Sequence, residues 1–272
     1  MVQKGSEKMI GKDASHVNMV EIRDLNKVYA GSVSTVALKD IHLTVKAGEF
    51  VGIMGPSGSG KTTLLNMVST IDTPSSGSVM INNSNPYQLR KEELALFRRR
   101  QLGFVFQDFN LLDTLTVEEN IVLPLTLDSA KMKEMKLRLK QTVERLGLES
   151  LLAKRPYEIS GGQRQRTAIA RAIITSPALL LADEPTGALD SGASRVVMES
   201  LENINRQDGT TIMLVTHDPV SASYCDRIVF IRDGRLSAEI HQGNNRLAFF
   251  QKIIDTLSLW GGSSNEFSSI RV

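Results

Sequence analysis

The sequence predicts an α/β fold: a mostly parallel sheet, with a further strand region ahead of it and a helical block set into it. Three features carry that prediction. Short apolar runs, "FVGIM", "ALLLAD" and "TTIMLV", read as strands covered on both faces, the usual situation in parallel sheets. The first run is followed at once by "GPSGSGKTT" and then "LLNMVS", which makes the unit strand, glycine-rich turn, helix. From about Thr116 to Pro156 the pattern turns helical and heavily charged, with "KMKEMKLRLKQTVERLG" at its centre.

Taken in order, the polar opening over residues 1–18 is expected to be a disordered leader outside the fold. Order is expected from Met19, where "VEIRDLNKVYA" and "VALKDIHLTVKAGEFVGIM" carry strand patterns. "GSVMIN" reads as a short strand, "LRKEELALFRRR" as a charged helix, and "LGFVFQ" again as strand. Arg98, Arg99 and Arg100 are expected on a solvated face. "RIVFIRDGRLSAEI" reads as a hairpin turned at Asp233 and Gly234. The domain plan is therefore a core over 19–88 and 157–240, a helical insertion over about 89–156, and a helical tail over 241–272. In the tail, Leu247, Phe250, Ile253, Ile254 and Leu257 are expected along one helix face. That face would pack on the chain's own core, on a second copy of the chain, on a partner protein or on a membrane surface.

The glycine-rich turn carries specific chemistry. Gly55, Gly58 and Gly60 let successive N–H groups point inward, and the helix that follows adds a partial positive charge, so the turn is a nest for an anion. The spacing G-x-x-x-x-G-K-[ST], fixed by Gly55, Gly60, Lys61 and Thr62, points to a nucleotide polyphosphate. Lys61 would neutralise the β- and γ-phosphates, and Thr62 would offer its hydroxyl to Mg²⁺. Pro56, Ser57, Ser59 and Thr63 complete the loop. Farther on, "LLLADEP" ends a strand in Asp183, a candidate for the metal's shell, followed by Glu184, a candidate general base for water. "ISGGQ" opens a second helix with a serine and two glycines, a pattern that by itself also fits an ordinary helix cap.

Composition narrows the class. Lysines and arginines number 32 against 30 acids, for a net charge of +2, so no concentrated basic surface for nucleic acid is indicated. Cys225 is the only cysteine, which excludes an intrachain disulfide and fits a small buried hydrophobe. No apolar run approaches the roughly 18 residues that cross a bilayer.

In the order "GPSGSGKTT", "FQD", "ISGGQ", "LLLADEPTGALD" and "THD", the chain resembles the nucleotide-binding subunit of ATP-binding-cassette transporters, over about Val20 to Leu236. The resemblance implies a RecA-like P-loop NTPase fold with an antiparallel β subdomain and a helical subdomain, and ATP and Mg²⁺ as cofactors. It implies that Tyr29 stacks on adenine and that Gln107 reaches the metal and the attacking water. It also implies that Ser160, Gly161, Gly162 and Gln163 face the γ-phosphate held by a partner subunit. Asp190 would link the two sites of a homodimer, and His217 would touch the γ-phosphate. Ile159 stands where leucine is usual, and Gly187 where serine is common; neither removes a phosphate-contacting group.

The stretches "GFVFQDFNLLDTLTVEENIVLPL" and "ADEPTGALD" are similar to the macrolide-export and lipoprotein-release subgroup, and "THDPVSASYCDRIVFIRDGRL", with "STIDTPSSG" and the tail "RLAFFQKIIDTLSLW", is similar to the ATPases of bacitracin-resistance (Bce-type) modules. That resemblance implies a membrane permease as partner, with Phe109, Leu111 and Leu112 as candidate contacts, a peripheral place on the cytoplasmic side of the cell membrane, and a sensor histidine kinase reached through the permease. Two other readings are a cell-division regulator driving a transmembrane signal without transport and a soluble cassette ATPase acting on DNA or ribosomes. Soluble cassettes usually carry two cassettes or long coiled-coil insertions, and neither is seen in this sequence.

Overall fold

The computed structural model describes residues 17–31 and 34–260. The leader expected over 1–18 lies outside the described residues except for Val17 and Asn18, as do positions 261–272 of the tail. The strands are β1 (Asn18–Tyr29), β2 (Thr35–Lys46), β3 (Phe50–Met54), β4 (Ser76–Ile81), β5 (Leu102–Val105), β6 (Leu179–Asp183), β7 (Thr211–Val215), β8 (Arg227–Arg232) and β9 (Arg235–His241). The helices are α1 (Lys61–Val68), α2 (Lys91–Gln101), α3 (Val117–Leu127), α4 (Met132–Leu146), α5 (Gly161–Ile173), α6 (Ser191–Asp208), α7 (Pro219–Ala222) and α8 (Arg246–Trp260).

β1 sits between β2 and β4 in an antiparallel sheet. The larger sheet runs β5-β6-β7-β3-β8-β9 and is parallel except for β9, which returns against β8. The return is the expected hairpin: Asp233 and Gly234 have φ of 50° and 73°, the two positive values that a tight turn between right-twisted strands needs. β3 is thus central, and all five of its residues are buried. Successive side chains on a strand face opposite ways. Phe50 and Met54, with Leu180, Ala182, Ile212 and Leu214, join the core that α3 to α8 cover. Val51 and Ile53, with Leu181, Met213 and Val215, join a second core shared with α1 and the antiparallel sheet.

Two expectations change. The helical insertion drawn over 89–156 is not continuous, because β5 within it pairs with β6 as the edge strand of the larger sheet. Only four residues long, β5 gains its register from that neighbour and cannot be assigned to the sheet from its own pattern. In the tail, Phe249 and Ile253 are the buried side chains of α8, with Leu257 packed beside them, whereas Leu247 is 75% exposed. Positions 249, 253 and 257 repeat at four-residue steps and share one face, which Leu247 does not. Arg98 and Arg100 are exposed as expected, yet all three arginine heads are engaged: Arg98 donates to Thr70 O, Arg99 to Leu127 O, and Arg100 to the Asp128 carboxylate. They fasten α2 to its neighbours.

Candidate active site

The phosphate loop begins where β3 ends. A Cβ on Gly55 would lie 2.1 Å from Ile231 O, and one on Gly60, at φ 109°, would lie 2.6 Å from Ala37 O, so both positions require glycine. Pro56, Ser57 and Gly58 are exposed, while Ser59 and Gly60 are buried. The first bond of the α1 ladder is Leu64 N–H to Gly60 O, at 2.8 Å. The N–H groups of Lys61, Thr62 and Thr63 therefore precede the ladder and stand at the positive end of the helix. Lys61 Nζ donates to Gly55 O and Pro56 O, both at 2.9 Å, and burial lowers its pKa from the usual lysine range.

Asp183 closes β6 beside this loop, its Oδ1 3.4 Å from Thr62 Oγ1. Burial, and secondarily the charge of Glu184, raises the Asp183 pKa. A partly buried carboxylate beside a second carboxylate and a hydroxyl is a donor set for a hard divalent cation, so these residues fit Mg²⁺. Glu184 takes a left-handed backbone, φ 46°, with its N–H bonded to Val215 O. Its side chain meets His217, which follows β7: Nδ1 to Oε1 is 2.8 Å, and the His217 N–H donates to Oε2 at 3.3 Å. A cavity of about 500 Å³ opens beside the pair, walled in part by Leu189, Met198 and Tyr224.

Gln107 is exposed on the loop after β5, and its amide lies over Gly187, where a Cβ would be 3.1 Å from Gln107 Cδ. The glycine in place of serine therefore gives this side chain room. Tyr29 is 42% exposed; its hydroxyl donates to Asp72 Oδ2 at 2.9 Å, and Lys27 Nζ stands 4.7 Å from the ring centre. One ring face is thus taken by an ammonium. Lys27 also donates to Asp72, which lowers that carboxylate's pKa.

Ser160 caps α5: its hydroxyl accepts from Gln163 N–H, and the Gln163 amide oxygen accepts from Ser160 N–H, a reciprocal box. A Cβ on Gly161 would lie 3.2 Å from Leu189 Cδ2, and Gly162 packs on the start of α6, where a Cβ would be 2.9 Å from Ala193 Cβ. Asp190 caps α6 through Ala193 N–H, at 2.8 Å. By their contacts most of the expected residues fall into two groups, the phosphate loop with Asp183, Glu184 and His217 and the α5 and α6 N-termini, while Tyr29 sits with Lys27 and Asp72 and Gln107 with Gly187.

Sequence reasoning missed several supporting residues. Asp72 is one. Another is a buried chain from Thr186 Oγ1 to Ser221 Oγ (3.0 Å) to Asp218 Oδ2 (2.6 Å), which joins the loop after Glu184 to the one after His217. A third is Gln165, a polar residue in the apolar stripe of Ala168, Ile169 and Ala172; that interruption was its only signal.

The fold is that of a P-loop nucleoside triphosphatase of the cassette type, and the chain belongs to the ABC transporter family, whose model matches residues 38–187. It is an ATPase that works with ATP and Mg²⁺. The chain is 58% identical to the ABC transporter ATP-binding protein YxdL of Bacillus subtilis, over 94% of this chain and 99% of that one. It is 46% identical to the bacitracin export ATP-binding protein BceA of Halalkalibacterium halodurans, over 91% of this chain and 99% of that one. The dimeric structure of the ATP-binding cassette MJ0796 bound to ADP and Pi superposes with a TM-score of 0.76 at 41% identity, covering 83% of this chain and all of that one.

Proposed function

We propose that this ATPase energises a membrane permease that exports peptide antibiotics of the bacitracin kind or confers resistance to them. The observation that carries the reading is the 46% identity to the bacitracin export protein across 99% of its length. A match covering 94% of the chain, as with YxdL, must also run into α8, whereas the match to MJ0796 covers 81%.

In this reading two chains stack head to tail with ATP at the seam. The N–H groups of the phosphate loop and Lys61 grip the β- and γ-phosphates, and Tyr29 stacks on the base. Thr62, Asp183 and Gln107 hold Mg²⁺, which offsets phosphate charge. Glu184 takes the proton of the attacking water, and its hydrogen bond to His217 fixes the carboxylate. Ser160 to Gln163 present the α5 N-terminus to the nucleotide of the other chain, and Asp190 relates the two sites. Phe109, Leu111 and Leu112 face the permease. Leu112 suits that role because Asn120 fixes its backbone at both N–H and carbonyl while its side chain remains 47% exposed. A sensor histidine kinase reached through the permease belongs to the same reading.

The test is to co-express the chain with the permease of its own operon, purify the complex, and assay ATPase activity with bacitracin and with a macrolide. Stimulation by bacitracin alone is expected. An assembled complex that answers only the macrolide, or neither compound, overturns the proposed substrate class.

A further inference from the structure

Gln107 and Glu184 stand on two loops that leave neighbouring strands. The β5–β6 ladder ends at Val105 and Ala182, so the chain beyond those residues needs another means of keeping register. Gln165, fully buried one turn into α5, supplies it. Its Nε2 donates to Phe106 O at 3.1 Å and to Pro185 O at 2.7 Å. Phe106 precedes Gln107, and Pro185 follows Glu184. Two carbonyl acceptors fix the amide's orientation, because the flipped form would set oxygen against both. Its own Oε1 is buried and meets no donor among the described residues, while the side chain gives both N–H groups to the two loops. The rest of α5 holds the first loop as well: Arg171 donates to Phe109 O and Asn110 O, and Arg164 stands 5.0 Å from the Phe109 ring centre.

We infer that Gln165 is a positioning residue for ATP hydrolysis: its amide ties the main chain beside Gln107 to the main chain beside Glu184 and so sets the distance between them. The inference rests on the proposed roles of those two residues. Because Ser160 caps α5, any shift of that helix end is carried by the same amide to both.

The test uses the full-length chain. Gln165→Met keeps the length of the side chain and removes both donors. It should lower kcat by roughly tenfold to a hundredfold, the scale of a misplacement near 1 Å, with ATP affinity within about twofold of the parent. In Gln165→Glu an ionised carboxylate would oppose two carbonyl oxygens, while the protonated acid can donate one hydrogen bond. Its turnover relative to the parent should therefore climb as pH is lowered from about 8.5 to about 6. Parent-like kcat in Gln165→Met, or kcat and ATP affinity falling together with melting temperature, overturns the inference. If the Met variant does not fold, a flat pH ratio for the Glu variant overturns it and a rising one supports it. Glu184→Gln is assayed alongside. Undiminished turnover there would refute the base assignment, while the Gln165 variants are still judged on their own affinity, kcat and pH readings.

Discussion

Lys61 and Asp183 carry opposite charges in one half-buried site, and their pKa shifts have opposite signs for the same cause. Replacing Lys61 with Ala removes a charge-assisted contact, commonly about 1.5–3 kcal/mol, so ATP affinity should fall by roughly 10- to 100-fold in isothermal titration. Unchanged affinity would contradict the phosphate role. For Asp183, the folded pKa lies above the ordinary 3.8, so the native state holds the proton to higher pH than the unfolded chain does. Stability from this group is full below that ordinary value and is lost as pH rises through the folded pKa. Without nucleotide, Asp183→Asn should therefore melt higher than the parent at neutral pH, and the difference should vanish near pH 3 to 4. The same variant should lose the upward melting shift that Mg-ATP gives the parent. A parent-like shift would remove Asp183 from the metal set.

At the scale of elements, α8 separates what a helical wheel suggests from what packing selects. Phe249 is 1% exposed and Ile253 fully buried against the core, so Phe249→Ala should cost about 3–5 kcal/mol in urea unfolding. Leu247→Ala should stay within about 0.5 kcal/mol, since that side chain is 75% exposed. Equal losses would mean the helix sits differently on α7 and β9. The phosphate loop and the α5 cap were legible because each rests on local backbone rules: glycines at Gly55 and Gly60, and a Ser–Gln box at one turn's spacing. The place of β5 in the larger sheet and the anchoring role of Phe249 were not, because a four-residue run and a broad apolar stripe each admit more than one partner. Gln165 showed only as a polar break in a stripe; its two carbonyl partners lie 59 and 20 residues away.

For the whole molecule, the two groups of site residues frame the expectation of a closed dimer: a ligand bound between two chains stabilises their association by mass action. Glu184→Gln should cut turnover by about 10²- to 10⁴-fold while keeping ATP affinity, and should elute as a dimer in ATP and a monomer without it. A variant that stays monomeric at saturating ATP would argue against shared sites.

The sequence alone determined the α/β class, the phosphate loop, the strand-end carboxylates and the second capped helix, because each is written in short runs of neighbouring residues. Tertiary structure alone decided that β5 joins the larger sheet, that Glu184 meets His217, that Tyr29 leans on Lys27 and Asp72, and that one glutamine spans two loops. Those contacts join residues far apart in the chain, and only the packed core sets such distances.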